Sequence, residues 1–529
     1  MRSPFFSIRH LPRFSLIIVL ITSLYTIGYF HPWTTNKDGR RGVIKWDVIT
    51  YYSYLPAAVI YGDVTLGFLD EGVIVNDNKF WPIDIDNGNR LIVTSMGLSF
   101  LYAPFFLIAH ALAPLVGQES DGFSNIYQFM LLVGGFFYAF MGLILLAAFL
   151  RKHFDPVVTA LTVLVIGLGT NLYFYMTVEA AMPHSHNFFL ITLFMLLVPR
   201  WYRNPAWYNG LLTGGLFGLI VLVRPTNILL FVFLLLYGVT SWKTLGERIL
   251  FYLQKWYLVL LMIAAFLVPW IPQFLYWKEI TGHYLFFSYG EKDASFFFGQ
   301  PQVLKSLFHI RKGWLVYTPL MAFALIGIPM LRKEYKGWFI PLLVYVPLMI
   351  YVQSSWWCWW FGGGYGLRAY ISLYPLMALP LAVFLKKAGS LPVRGPYYAL
   401  ISLMLVLVVY QIFQTRQFTT NAVHYSGTTC QSYKENFLKT YPTGPSWKML
   451  ELPDFTLARK GVYVEYPTWE DKEEWKAMDR ADAYEKIREE VTGKRSVMRQ
   501  VKRFAGREGI TQDSAMTVVL DRMYQEKTD

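Results

Sequence analysis

Three short stretches hold the residue types that chemistry needs. The first is Lys45-Trp46-Asp47-Val48-Ile49-Thr50-Tyr51-Tyr52, whose Asp47 follows the apolar run 14–30 by about 17 residues. A carboxylate at Asp47 can accept a proton from a hydroxyl held at a bilayer surface. It can equally cap the aromatic helix it opens. The second stretch runs from Tyr175 through Glu179 to Pro183-His184-Ser185-His186 and puts three titratable groups within eight residues. A Glu and two His are metal-ligand types, although most such pairs hold no metal. The third is Trp356-Trp357-Cys358-Trp359-Trp360-Phe361-Gly362-Gly363-Gly364-Tyr365-Gly366-Leu367-Arg368. Its glycines permit tight turns, and its tryptophans supply flat amphipathic faces on which sugar rings stack. Arg368 can hold a phosphate with two parallel hydrogen bonds. One or two Trp would fit an interfacial belt, but four in five residues exceed it.

Two further cationic positions fall between apolar runs: Arg224, in Val223-Arg224-Pro225-Thr226, and Arg311/Lys312, in Ile310-Arg311-Lys312-Gly313-Trp314. Arg224 interrupts an apolar stretch and therefore needs a partner, either a carboxylate within the protein or a lipid phosphate.

The setting that must position these residues is a membrane. Of 529 residues, 55% are hydrophobic and 18% aromatic, while 16% are charged against about 25% in an average soluble domain. Such apolarity excludes a disordered chain. A soluble globule of this composition would expose aggregating surface. The 48 Lys+Arg exceed the 35 Asp+Glu. The basic residues sit in short clusters between apolar runs, as in cytoplasmic loops, and this argues against nucleic acid.

The apolar runs predict an all-α polytopic protein with about eleven spans: 14–30, 126–150, 156–175, 185–199, 208–223, 226–241, 256–276, 314–331, 338–353, 370–385 and 396–414. Some are shorter than the ~20 residues of a full span, and polar ends continue those helices into the interfaces. The N-terminal run lacks a small-residue cleavage site and reads as an uncleaved first span. Basic clusters at 151–152, 200–203, 243–255, 332–336 and 386–394 then all lie on the cytoplasmic side. This bookkeeping keeps 96–116 from crossing. It reads as an outer-surface or re-entrant helix, with Pro104 and His110 inside it, and the short aromatic run 51–61 reads similarly. The expected division is a transmembrane domain, 1–415, whose first outer loop, 32–124, carries two interfacial helices, and an extracytoplasmic region, 416–529, that is small and α or α+β. Segments 469–490 and 511–526 have helical spacing there, and Val462–Tyr466 can form a strand. Cys358 and Cys430 share the outer compartment in this topology, and two unrelated thiols are favoured over a bridge.

The pattern resembles the GT-C superfamily of integral-membrane glycosyltransferases, of the type of the protein O-mannosyltransferases and the bacterial aminoarabinose and arabinose transferases. The resemblance covers about residues 14–414. It rests on the long first outer loop with the early Asp47, on Glu179 in the next outer loop, and on Trp359-Trp360-Phe361-Gly362-Gly363-Gly364-Tyr365-Gly366-Leu367-Arg368. Many members carry Asp-Glu in the first loop, whereas Val48 follows Asp47 here. The resemblance implies a bacterial cytoplasmic-membrane enzyme, N-terminus inside and C-terminus outside. It would take a sugar from a polyprenyl-phosphate carrier and pass it, with inversion, to an acceptor hydroxyl of a glycan, lipid or protein on the outer face. Asp47 would be the general base, with Glu179 orienting the acceptor or a cation. Arg224, Lys312 and Arg368 would meet the carrier phosphate, and His184, His186, Trp359 and Trp360 the sugar. No cofactor is required if cations stabilise the leaving phosphate, and a divalent cation stays open. Two other classes remain: a transporter or flippase of lipid-linked glycan, and a non-catalytic envelope assembly factor. The first is disfavoured because no second half resembles the first and the ionisable residues lie at the boundary rather than the midplane.

Overall fold

The computed structural model describes residues 8–34, 42–71, 80, 82–86, 88–290, 294–469 and 472–528. The elements are, in chain order, α1 (Leu11–Phe30), α2 (Asp47–Tyr52), α3 (Tyr54–Val59), the two-residue strands β1 (Ile83–Asp84) and β2 (Arg90–Leu91), α4 (Gly97–Leu112), α5 (Asn125–Leu150), α6 (Pro156–Leu168), α7 (Leu172–Thr177), α8 (Pro183–Arg203), α9 (Trp207–Val223), α10 (Leu230–Leu236), α11 (Trp242–Gln254), α12 (Trp256–Leu267), α13 (Ile271–Thr281), α14 (Val303–Phe308), α15 (Trp314–Tyr317), α16 (Met321–Glu334), α17 (Lys336–Ser354), α18 (Tyr374–Gly389), α19 (Arg394–Thr419), α20 (Cys430–Glu435), α21 (Gly444–Trp447), β3 (Glu451–Pro453), α22 (Phe455–Arg459), β4 (Glu465–Pro467), α23 (Lys472–Ala477), α24 (Arg480–Gly493), α25 (Arg495–Glu508) and α26 (Gln512–Thr528). The chain is therefore an all-α polytopic protein. Among the described residues, six helices are long and apolar enough to cross a membrane: 8–30, 125–150, 256–281, 336–354, 368–389 and 394–419. Shorter apolar helices occupy 97–112, 156–168, 207–223 and 225–236.

Three expected spans are interrupted, each for a local reason. The run 156–175 divides at Gly169-Thr170-Asn171. There Thr170 Oγ1 bonds the carbonyl of Ile166 at 2.8 Å and takes the amide of Leu172 at 3.2 Å, competing with the helical ladder. The run 226–241 stops at Leu236, because Gly238 adopts φ +83°. The run 314–331 breaks at Thr318-Pro319, ahead of α16.

The chain divides into two compact units. Unit 1 holds residues 1–291, 317–350 and 368–412. α18 lies at its centre, with 89% of its apolar window buried, whereas the windows of α12–α13 and α19 are 22% and 17% buried and present apolar surface outward. α4, expected along the membrane surface, packs on α5 and on α9, and His110 Nδ1 meets the Tyr127 hydroxyl at 2.6 Å. Two glycines set backbone approaches that matter below. A Cβ on Gly135 of α5 would stand 1.8 Å from the carbonyl oxygen of Ala180, and one on Gly97 would stand 2.5 Å from the backbone at Leu222–Val223.

Unit 2 joins residues 413–529 to the segments 292–316 and 351–367. Its distal core gathers Trp475, Ile487, Val501, Phe504, Val519 and Leu520, all buried. The expected strand forms as β4, pairing antiparallel with β3 (Leu452 opposite Tyr466). The segment expected as one helix, 469–490, is divided at Asp479, which caps α24 by accepting the Ala481 amide at 3.0 Å. α25 was not expected. Arg311 is buried, with Nη1 on Glu465 Oε1 at 2.8 Å and Nη2 on the Glu451 carbonyl at 3.0 Å, and so fixes the β3–β4 pair. Cys358 and Cys430 carry thiols rather than a bridge.

Candidate functional site

Asp47 begins α2 behind a strained residue. Trp46 has φ +54° and ψ −126°, far from the region favoured by a bulky side chain. The preceding loop is held by Gln128, whose Oε1 takes the Val43 amide at 2.8 Å. Such strain persists only where surrounding structure enforces it, and here it aims the first helical residue. Asp47 does not act as a side-chain cap: its Oδ2 takes Nη2 of Arg368 at 2.6 Å, across 321 residues of sequence. The Asp47 side chain is 51% exposed and that of Arg368 is 16% exposed. Arg368 opens the tight helical turn that leads into α18 and follows Gly366, at φ +56°.

Around this ion pair stand groups from four other segments. Glu179, in the link between α7 and α8, interacts with Arg368 and with Lys45. The Gly135 approach on Ala180 seats that link. Arg224, directly after α9, interacts with Arg368, Asp47, Tyr51 and Tyr289, and the Gly97 approach seats the end of α9. Arg224 Nη1 also lies 3.4 Å from Nδ1 of His184, a long contact, and the His184 ring stands edge-on to Tyr175 at 4.8 Å. Tyr51 sits one helical turn after Asp47 on the same face. Burial pushes its phenol above the ordinary value, with Arg224 opposing. Burial likewise holds the Tyr289 phenol well above its ordinary value, so both stay hydroxyl donors. Burial lowers the Lys45 ammonium, and Glu179 opposes that shift.

The structure thus brings together Asp47, Glu179, Arg224, Arg368 and His184 of the expected residues. His186 keeps only an electrostatic link, to His184. Two residues apart on a helix, the two rings face different ways, and His186 packs against Tyr102 and Tyr138. Among the described residues, no group of three or more His, Cys, Asp or Glu is placed to share a metal.

Three expected residues belong to unit 2. Lys312 is buried and donates from Nζ to the carbonyls of Tyr425, at 2.7 Å, and Gly364. Trp359 and Trp360 are each 1% exposed and pack with Cys358, Ala458 and Tyr463, so their faces meet protein rather than an open platform. Sequence reasoning missed Lys45, Tyr51, Tyr175 and Tyr289. The Asp47–Tyr51 spacing was a signal for one of them, whereas Tyr289 lies in an irregular segment tied to the Val93 carbonyl through Ser288 and carried none.

The arrangement has a definite electrostatic sense. Three cations (Lys45, Arg224, Arg368) face two carboxylates (Asp47, Glu179), leaving one positive charge in excess beside tyrosine donors. Such a site accepts an anion while keeping a partly exposed carboxylate at its edge.

No family profile matches the chain, and no curated protein matches it. Among solved structures it is similar to the archaeal oligosaccharyltransferase AglB from Archaeoglobus fulgidus, in complex with an inhibitory peptide and a dolichol-phosphate, at 12% identity and a TM-score of 0.43, covering 81% of this chain and 60% of that one. A likeness of that degree carries no weight for function.

Proposed function

We propose that the protein is a membrane glycosyltransferase that moves a sugar from a polyprenyl-phosphate carrier to an acceptor hydroxyl, with inversion. The observation that supports this most is the Asp47–Arg368 ion pair at 2.6 Å, with Arg224 and Glu179 in electrostatic reach. The carrier phosphate binds Arg368 and Arg224 and draws Arg368 from Asp47. The released carboxylate accepts the acceptor hydroxyl's proton as the oxygen attacks the anomeric carbon. The bond from that carbon to the phosphate oxygen breaks, and the electron pair stays on the phosphate, where the guanidinium groups stabilise it. Glu179 and Lys45 orient the acceptor, and the Tyr51 and Tyr289 hydroxyls donate to sugar or phosphate oxygens.

The topology that goes with this reading has eleven spans, a cytoplasmic N-terminus, and the site and C-terminal region on the outer face of a bacterial cytoplasmic membrane. The test is transfer by the purified protein in lipid from a short-chain polyprenyl-phosphate sugar. Its acceptor is identified by mass spectrometry of envelope glycans with and without the gene. Carrier binding without sugar transfer to any envelope fraction would overturn the enzyme reading.

A further inference from the structure

α11 differs from every neighbour in unit 1, because none of its thirteen residues is buried. Its two sides differ in chemistry. One side holds it to the protein. The Arg248 guanidinium lies 3.4 Å above the Tyr202 ring and donates to the carbonyl of Tyr237, while Phe251 and Tyr252 pack against Tyr202. The other side carries Trp242, Ile249 and Leu253, at i, i+7 and i+11, which share one face of a helix. They are 87%, 55% and 66% exposed, and Leu250 beside them is 52% exposed. Lys243 and Lys255 stand near the two ends of this stripe, and Glu247 lies on its flank.

Continuity of the chain fixes where the stripe is. Lys255 alone separates α11 from the membrane-crossing segment 256–281, and its φ of −106° and ψ of 27° break the helix there. One residue advances the chain about 3.8 Å, so the C-terminal end of α11 sits where that span enters the bilayer. The middle of α11 is tied to the residue that ends α10 through the Arg248–Tyr237 bond. An apolar stripe held at the mouth of a span, between two lysines, matches a lipid surface with anionic headgroups.

We propose that α11 is an interfacial helix: Trp242, Ile249 and Leu253 enter the headgroup–acyl boundary, and Lys243 and Lys255 meet lipid phosphates. The experiment places a spin label at Leu253 (Leu253→Cys) and, separately, at Gln254 (Gln254→Cys). The full-length protein carries Cys430→Ser and is reconstituted in nanodiscs containing an anionic phospholipid. The expected result is an oxygen-to-nickel collision ratio several-fold higher at 253 than at 254, corresponding to a depth of about 5–10 Å. Equal ratios at the two positions would overturn the proposal. So would dipolar broadening at 253 that vanishes on dilution with unlabelled protein, because a second copy would then cover the stripe. A photoreactive lipid with its diazirine near the headgroup, applied to the unmodified protein, must label peptides within 242–253. Failure to do so overturns the proposal independently of how the variants fold.

Discussion

With its Oδ2 on Arg368, the Asp47 carboxylate is held in one orientation yet stays half open to its surroundings. Asp47→Asn keeps the shape and removes the ability to accept a proton. Transfer should fall by roughly 10²-fold or more with folding unchanged, measured as turnover of a short-chain polyprenyl-phosphate sugar. Unchanged turnover would move the role to Glu179. Arg368 separates charge from geometry. Arg368→Lys keeps the cation and loses the planar fork, so affinity for a short-chain polyprenyl phosphate should drop clearly, and further in Arg368→Ala. Equal affinities in all three forms would leave the phosphate to Arg224. The cluster, rather than any role within it, was legible, because a charge beside an apolar run needs a reason and the structure brings four such charged residues together. The tyrosines were not legible, since Tyr51 and Tyr289 are two among 36 and only the fold sets them beside the charged cluster. Trp359 and Trp360 were conspicuous for their composition, and composition does not say which face of a ring is covered.

The helices place these groups through backbone contacts that leave no room for side chains. Gly135→Ala would put a methyl 1.8 Å from the Ala180 carbonyl, one residue after Glu179. The link must move, at a cost of about 1–3 kcal/mol. The expected outcome is a lower unfolding temperature together with weaker transfer, read by thermal unfolding in lipid and by turnover of the same donor. A single glycine in an apolar run does not announce which backbone it will meet, so this contact was invisible in the sequence. In unit 2, His424 Nδ1 takes the amides of Gly427, at 2.8 Å, and Ser426, at 3.2 Å, and must be unprotonated to do so. Burial, with Lys312 and Arg311 adding to it, pulls His424 from 6.5 down to about 4. The unfolded chain therefore binds the extra proton between those values. Stability is full above about pH 6.5 and is lost as pH falls toward 4. Amide exchange of residues 424–428 should accelerate from pH 7 to pH 5 beyond the intrinsic change, and His424→Gln should flatten that dependence.

At the scale of the whole chain, hydropathy and basic clusters carry the expected topology. A helix forms at each of the eleven expected spans, although three are broken by a glycine, a proline or a threonine side chain. An apolar run marks a helix whether or not that helix is continuous, so the helices were legible and their interruptions were not; among the described residues six of them are long and apolar enough to cross a membrane. The tail read as folded because its charges alternate with short apolar runs. α25 escaped notice because cations at Arg495, Arg499, Lys502, Arg503 and Arg507 outweigh its buried Val497, Val501 and Phe504. A reporter fused at about residue 420 should report the outer side. A cytoplasmic signal would mean that residues 96–116 cross the membrane and would invert the placement of the site.

The 321 residues between Asp47 and Arg368 also set an order of events during synthesis. At about 5–20 residues per second, the ribosome delivers the carboxylate roughly 15–65 s before its guanidinium partner. Through that interval the nascent chain holds an acceptor without the cation that positions it, and Glu179 and Arg224 arrive in between. The site therefore closes late, once residue 368 has been inserted. A nascent chain stalled before that point carries the carboxylate without the guanidinium that orients it.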